Sequence, residues 1–91
     1  MQDDAIEIHA APAFLPGQKV RARRHIKNDG TFFGRPPGER LVHKGEAGYV
    51  RDIGTFLQRY YIYAVEFVAS GRVVGMRFHE LEALPGEETG Q

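Results

Sequence analysis

The sequence contains no cysteine and no tryptophan among its 91 residues. The absence of cysteine excludes disulfides, thiolate zinc sites, cysteine nucleophiles and iron–sulfur clusters held on thiolates of this chain. The sequence also lacks a secretory hydrophobic region, so we expect a cytoplasmic protein that does not bind membranes. With 42% hydrophobic and 26% charged residues, its composition is typical of one small globular domain.

The net formal charge is zero, but the charges are unevenly distributed along the chain. Residues 19–44 contain eight basic and two acidic side chains, whereas residues 1–18 and 45–91 each carry a net charge of −3. A basic segment of this kind is typical of a surface that binds an anionic partner. It is equally typical of an exposed strand face that uses charge to prevent aggregation, and the sequence leaves both interpretations open.

Alternating apolar and polar residues predict an all-β fold, because no helical hydrophobic stripe runs for more than about two turns. One face of each predicted strand is expected to form the core. The predicted strands are Lys19–Ile26, Leu41–Lys44, Tyr49–Ile53, Tyr60–Ala69 and Arg72–Phe78. The predicted inward-facing residues are Val20, Ala22, Ile26, Val74, Met76 and Phe78. In the fourth predicted strand, one face is expected to carry Tyr61, Tyr63, Val65 and Phe67.

Turn-forming residues separate the predicted strands. Asn28-Asp29-Gly30 and Ser70-Gly71 are typical turn sequences, and Gly54 is expected to end the strand before it. We expect a small SH3-like, partly open barrel of about five short antiparallel strands, with one short C-terminal helical turn at residues 79–84. The barrel domain is expected at residues 17–84, between a flexible N-terminal arm (1–16) and a disordered tail (85–91).

Two segments of similar sequence follow predicted strands. They are Asp29-Gly30-Thr31-Phe32-Phe33 and Asp52-Ile53-Gly54-Thr55-Phe56-Leu57. One interpretation is that the acidic residues and glycines only fix turns, while Phe32 and Phe56 plug the ends of the barrel. The other is that the two segments lie side by side and form one recognition surface, with Phe33 and Leu57 exposed to a partner.

No pattern of catalytic or metal-binding residues is present. The histidines, at positions 9, 25, 43 and 79, do not have the spacing of a metal site, so no metal or other cofactor is expected. Ser70 is the only serine and lies in a predicted turn without a paired base, and no nucleotide-binding glycine motif occurs. We therefore expect a protein that is not an enzyme.

Several stretches resemble the NifZ family of nitrogen-fixation accessory proteins, over about residues 17–81. The most distinctive stretches are Asn28-Asp29-Gly30-Thr31 and residues 48–58, which read Gly-Tyr-Val-Arg-Asp-Ile-Gly-Thr-Phe-Leu-Gln. The resemblance implies a cytoplasmic, non-enzymatic assembly factor with a chaperone-like role. It would assist maturation of the nitrogenase molybdenum–iron protein, at the stage where iron–sulfur precursors form its P-clusters. Relatives often have cysteine in place of Met76.

These observations lead to a hypothesis of transient docking by a monomer on the molybdenum–iron protein or its assembly intermediates. Arg51 and Asp52 are expected either to act as a polar pair that steers this docking or to have a structural role within their strand. Two alternatives remain: an SH3-like nucleic-acid-binding module, which the basic segment and the glycine turn after Lys44 favour, or a docking subunit of an iron–sulfur electron-transfer protein. The predicted partner-binding residues are Arg21, Arg23, Arg24, Lys27, Asp29, Thr31, Phe33, Arg51, Asp52, Thr55 and Leu57.

Overall fold

The computed structural model describes residues 6–85, which form β-strands joined by turns and two short 3₁₀ turns. No α-helix occurs in this part of the chain, so the predicted all-β class is confirmed. The 3₁₀ turns are Glu7–His9 and Phe78–Glu80. The strands are β1 (Lys19–Ala22), β2 (Ile26–Lys27), β3 (Arg40–Val42), β4 (Ala47–Phe56), β5 (Tyr60–Phe67), β6 (Val73–Met76) and β7 (Leu81–Ala83).

Five of these strands form one antiparallel sheet in the order β6-β5-β4-β1-β7, and β2 pairs with β3 separately. The long hairpin of β4 and β5 is the centre of the sheet, with Val50 opposite Val65 and Ile53 opposite Tyr63. Among the described strands, β6 and β7 are edges that do not pair with each other. The predicted set of about five antiparallel strands is confirmed, and this open arrangement is compatible with an SH3-like barrel.

The core lies on one face of the sheet and follows the predicted alternation. In β5, Tyr63, Val65 and Phe67 are fully buried, while the residues between them are only half-buried. Burying an aliphatic or aromatic side chain of this size contributes about 1.5–3 kcal/mol to folding. Met76 of β6 is also fully buried in the core, where its flexible thioether fills space between neighbouring strands.

The segment before β1 contacts the sheet. Phe14 is buried, and its ring packs edge-on against that of Tyr63 with a centroid distance of 5.3 Å. The Ala13 backbone N–H donates a hydrogen bond to the Tyr63 hydroxyl (2.8 Å), and the Tyr61 hydroxyl donates one to the Ala10 carbonyl (2.7 Å). The described part of the predicted arm therefore packs on β5. Residues 1–5, and all of the predicted tail except Pro85, lie outside the described residues.

The structure corrects several predicted boundaries. The first predicted strand is divided into β1 and β2 by a bend at residues 23–25. Gly54 does not end β4, because it adopts extended backbone and pairs with Ile62. The predicted helical turn is present as the 3₁₀ turn Phe78–Glu80, but the residues after it form β7, since Leu81 enters the core and pairs with Ala22.

Two aromatic residues predicted to be internal are exposed. Phe78 is 43% exposed, because the chain leaves the sheet after Met76 and turns away at this point. Phe56 is 48% exposed and therefore does not plug the barrel, whereas Phe32 is half-buried and packs against the core. Phe56 stands at the far end of β4, where its ring lies 5.5 Å from that of Tyr60.

The turn between β4 and β5 is strained. Leu57 and Gln58 have φ angles of 54° and 53°, in the left-handed region that favours glycine and asparagine. The turn is closed by a hydrogen bond from the Arg59 N–H to the Phe56 carbonyl (3.0 Å). A left-handed conformation costs a residue with a β-carbon roughly 1–2 kcal/mol. The sequence Asn-Gly fits such a pair of positions much better.

We therefore expect the double variant Leu57→Asn/Gln58→Gly to be more stable than the natural chain, by about 1 kcal/mol, because it relieves this strain. Urea-induced unfolding measures the difference. The variant Gln58→Ala serves as the control, since it shortens the side chain but keeps the β-carbon. If the double variant is no more stable than this control, the turn is not strained.

Candidate partner-binding groove

An open groove of about 970 Å³ runs between the exposed edge of β6 on one side and β2, β3 and the loop linking them on the other. Buried side chains of Leu41 and Val74 contribute to its lining, and so do three exposed side chains, Phe33, Phe56 and Val73. Phe33 is 98% exposed, so nearly all of its ring is in water. The groove therefore combines an apolar lining with an aromatic side chain that is almost fully exposed to solvent.

The β2–β3 loop (Asn28–Glu39), which carries Phe33, is organised by the buried side chain of Asn28. Its Oδ1 accepts hydrogen bonds from the N–H groups of Gly30 (2.9 Å) and Phe32 (3.0 Å). The two N–H groups of its Nδ2 are shared among the carbonyls of Phe32 (3.2 Å), Arg35 (2.9 Å) and Pro36 (3.2 Å). One side chain thus satisfies five backbone groups of a loop that has no strand partner of its own.

Asp29 and Thr31 bind each other at the edge of the groove. Asp29 Oδ1 accepts hydrogen bonds from the Thr31 hydroxyl (2.6 Å) and from the Thr31 N–H (3.1 Å). The hydroxyl bond is the main cause that lowers the pKa of Asp29 below its usual value of 3.8, since it stabilises the charged carboxylate. Asp29 and Thr31, both predicted to bind the partner, therefore line the groove, but they are already hydrogen-bonded to each other.

The charged side chains of the groove are not balanced. Its two acidic residues are engaged, Asp29 by Thr31 and Glu80 by the Arg77 N–H, which donates to Glu80 Oε1 at 2.9 Å. Arg24 and Lys27 also line the groove, and neither forms an ion pair with any residue between 6 and 85. Considering the described residues alone, the groove therefore presents two unpaired cationic side chains beside its apolar lining.

Arg77 forms one end of the groove lining. Its guanidinium lies over the ring of Tyr60, 3.5 Å from the centroid, which is a cation–π geometry. Its Nη2 atom lies 3.7 Å from Glu7 Oε1, so this cation is largely compensated. Its buried Nε atom, by contrast, has no hydrogen-bond partner among the described residues.

Arg21 and Arg23, also predicted to bind the partner, lie outside the groove. They line a second, smaller concavity of about 340 Å³, together with Lys44. Arg21 forms an ion pair with Glu82 of β7, which neutralises part of this basic surface. The basic segment seen in the sequence is therefore divided between two faces of the molecule, because the bend after β1 separates Arg21 and Arg23 from Arg24 and Lys27.

Arg51 and Asp52, the polar pair predicted to steer docking, are not bonded to each other. Arg51 forms its ion pair across the hairpin with Glu66, while Asp52 Oδ1 accepts a hydrogen bond from the Ile53 N–H (2.9 Å). Successive side chains of a strand point to opposite faces, and β4 also has a register shift between Val50 and Asp52. Arg51 and Asp52 therefore bind different partners.

The two similar segments meet in the groove only in part. Phe33 of the first and Phe56 of the second both line it, but Thr55 and Leu57 do not. Leu57 is 72% exposed, as expected, yet it lies in the strained turn beyond the end of β4. Phe33 and Phe56 therefore share one surface, whereas the residues on either side of Phe56 lie outside it.

Sequence reasoning missed the contribution of β6. Val73 and Gly75, both exposed, line the groove over the edge of this strand. The available signal was Val73 itself, an apolar residue on the solvent face of a strand whose inward residues are Val74 and Met76. An exposed apolar residue on an edge strand is a typical mark of a contact surface.

Two histidines lie close together beside the groove. The rings of His25 and His43 are 5.8 Å apart, and His25 Nδ1 accepts a hydrogen bond from the Lys44 N–H (3.0 Å). Loss of hydration, followed by the positive charges nearby, lowers the pKa of His25 below 6.5. In the part of the chain that the structure describes, no three histidine or carboxylate side chains are placed to hold a metal ion.

The sheet and its groove thus define a small all-β protein with one apolar, basic-edged surface suited to binding another molecule. The profile of the NifZ domain matches residues 11–83, and the chain belongs to the NifZ family. It is a nitrogen-fixation-associated protein. Within residues 6–85, no helix has the length and apolar character needed to span a membrane.

Individual relatives agree with this assignment. The chain is 59% identical over 88 residues to a protein assigned to NifZ in Sinorhizobium fredii, covering 97% of this chain and 82% of that protein. It is 53% identical over 74 residues to a similarly assigned protein of Rhodobacter capsulatus, covering 81% and 95%. Protein NifZ of Klebsiella pneumoniae is 46% identical over 70 residues, which cover 77% of this chain and 47% of that protein. No solved structure matches the chain.

Proposed function

We propose that this chain assists maturation of the nitrogenase molybdenum–iron protein, at the stage of P-cluster assembly, by binding it transiently through the groove. The observation that carries the proposal is the exposure of Phe33, at 98%, beside an apolar groove. An aromatic ring held in water on a fixed loop gains free energy when a partner covers it, and buried aromatic side chains dominate many interfaces.

The role we propose is that of a binding protein, not a cluster carrier and not an enzyme. The chain has no cysteine and therefore no thiolate on which a cluster could be held. The clusters would remain on the partner, while this chain holds the partner in a conformation that allows them to form. We propose that it does so as a cytoplasmic monomer.

The size of the groove favours a transient complex. A contact limited to the groove and its edges would bury less than about 1,200 Å² in total, which is typical of weak or short-lived encounters. Arg24 and Lys27 would steer an acidic partner surface toward the groove, and their effect would weaken as salt is added. An assembly factor must leave the finished protein, so moderate affinity suits the role.

Capture of cluster-deficient molybdenum–iron protein on the immobilised chain tests the proposal. We expect the double variant Arg24→Glu/Phe33→Ala to capture at least about tenfold less, since it removes the exposed ring and reverses a free charge. Arg59→Glu/Val68→Ala is the matched control, because both of its residues are exposed and lie outside the groove. Equal capture by the natural chain and both variants would contradict the proposal.

Nucleic-acid binding is the second candidate, and the concavity lined by Arg23 and Lys44 favours it. Arg21 in the same concavity is already paired with Glu82, so few free cations remain there. A gel-shift titration at low salt separates the two candidates. We expect no shift with RNA or DNA, whereas an affinity that falls linearly with salt on a log–log plot would favour the second candidate.

A further inference from the structure

The groove runs along a strand edge that has an unused set of backbone groups. The Phe67 N–H donates to the Arg72 carbonyl (2.9 Å), so the backbone of Arg72 faces β5. Antiparallel pairing alternates, and the N–H and C=O groups of Val73 and Gly75 therefore point away from β5. Within residues 6–85, β6 has no strand on this outer side.

We infer that the groove binds an extended, acidic peptide segment of the partner, which adds to the sheet as a strand beside β6. The inference rests on the proposed function in one respect, namely that the partner is a protein. Strand addition gives affinity through main-chain hydrogen bonds, and pockets for alternate side chains give specificity. Here the backbone of Val73 and Gly75 supplies the hydrogen bonds, and the groove lining supplies the pocket.

The apolar part of the groove determines which side chains the bound segment must have on the face that lies against the groove. Alternate side chains of a strand project to one face at intervals of about 7 Å. Those on the outer face of the sheet would lie beside Val73 and Ile62, with Phe56 at the exposed side of the groove. Aliphatic or aromatic residues at every second position of the segment satisfy this requirement.

The charges of the groove determine which charge the bound segment should carry. Asp29 and Glu80 already accept hydrogen bonds from the chain itself, whereas Arg24 and Lys27 have no acidic partner among the described residues. Acidic side chains on the segment would form ion pairs with these two cations. A basic segment would instead meet them with repulsion, so charge complementarity selects an acidic occupant.

The same lining argues for a peptide over a nucleic acid. Beside its aromatic rings, the lining contains Ile26, Leu41 and Val74, and these aliphatic side chains provide no stacking platform for bases. The unused edge of β6 offers hydrogen bonds in the register of another backbone strand, which a nucleic acid does not match.

Selection of random ten-residue peptides displayed on phage, with the full chain as bait, tests the inference. We expect enrichment of peptides in which apolar residues alternate with Asp or Glu. Selected peptides are then synthesised with N-methyl groups on alternate amides. Methylation of the amides that face β6 should weaken binding at least about tenfold, whereas methylation of the intervening amides should leave it unchanged.

Variants of the chain give a second readout. Val73→Pro removes an outward N–H without breaking the ladder with β5, and such prolines are tolerated on edge strands. It should lose binding of the selected peptides, whereas Val73→Thr, which keeps the N–H and the shape, should retain it. No enrichment, enrichment of basic peptides, binding by an oligonucleotide that competes with the selected peptides, or equal sensitivity to both methylation patterns would overturn the inference.

The outcome also separates this inference from the proposed function. If acidic peptides bind beside β6 but cluster-deficient molybdenum–iron protein is not captured, the groove assignment stands and the nitrogenase partner is wrong. If that protein is captured equally by the natural chain and by Val73→Pro, the partner stands and strand addition is wrong.

Discussion

Replacement of Gly48 by alanine is expected to lower the free energy of unfolding by about 3 kcal/mol. A β-carbon at position 48 would lie 2.7 Å from the Glu66 carbonyl oxygen and 2.8 Å from Val65 Cγ1. Both atoms belong to β5, which is paired with β4 on one side and β6 on the other. Because the backbone of a central strand cannot move without disturbing both ladders, the clash is not relieved cheaply.

The same substitution at Gly54 gives the control. Gly54 also lies in β4, but a β-carbon there would meet no atom within 4 Å, and its backbone is not left-handed. Gly54→Ala is therefore expected to leave stability unchanged or to raise it by up to about 1 kcal/mol, because it restricts the unfolded chain. Urea unfolding of both variants makes the comparison. Similar effects at the two positions would contradict the packing described for the centre of the sheet.

Replacement of Asn28 by alanine is the second change with a large expected effect. It removes five hydrogen bonds from a side chain that is 3% exposed and leaves loop N–H and carbonyl groups without partners. Each unsatisfied buried group costs about 1–3 kcal/mol, and local rearrangement of the loop limits the total, so we expect a loss of about 3 kcal/mol. Capture of the partner should fall as well, since the loop positions Phe33.

The variant Asn28→Asp separates the two halves of this hydrogen-bond network. An aspartate keeps the acceptor for the Gly30 and Phe32 N–H groups but cannot donate to the three carbonyls. We expect Asn28→Asp to be destabilised while these two amides remain protected from hydrogen exchange. In Asn28→Ala both amides should exchange rapidly. If Asn28→Ala were as stable as the natural chain, the Asn28 side chain would not be what holds the loop in place.

Local patterns predict much of this fold. The alternation through Tyr63, Val65 and Phe67 places these side chains on one face of a strand, because successive residues of a strand point to opposite faces. Ile62 and Ala64 lie between them, so the sequence alone does not show which of the two faces is buried. Asn28 and Gly30 identify the turn after β2, since their conformational preferences act over a few residues. In each case the cause lies within the segment itself.

Features that depend on distant residues were not accessible in this way. Phe14 becomes a core residue only because β5 presents Tyr63 to it across about fifty positions of sequence. Gly54 stays in a strand because Ile62 pairs with it, which overrides the usual effect of glycine. The groove is divided between β6 and the β2–β3 loop, so neither Val73 nor Arg24 could be assigned to it from spacing alone.

Amide hydrogen exchange of the chain, alone and with cluster-deficient molybdenum–iron protein, tests the central claim that the groove is the partner-binding surface. The partner should slow exchange in the segments 29–34 and 73–77, most of whose residues line the groove, and leave the concavity around Arg23 and Lys44 unchanged. Slowed exchange confined to that concavity, or no change anywhere in the chain, would contradict the account.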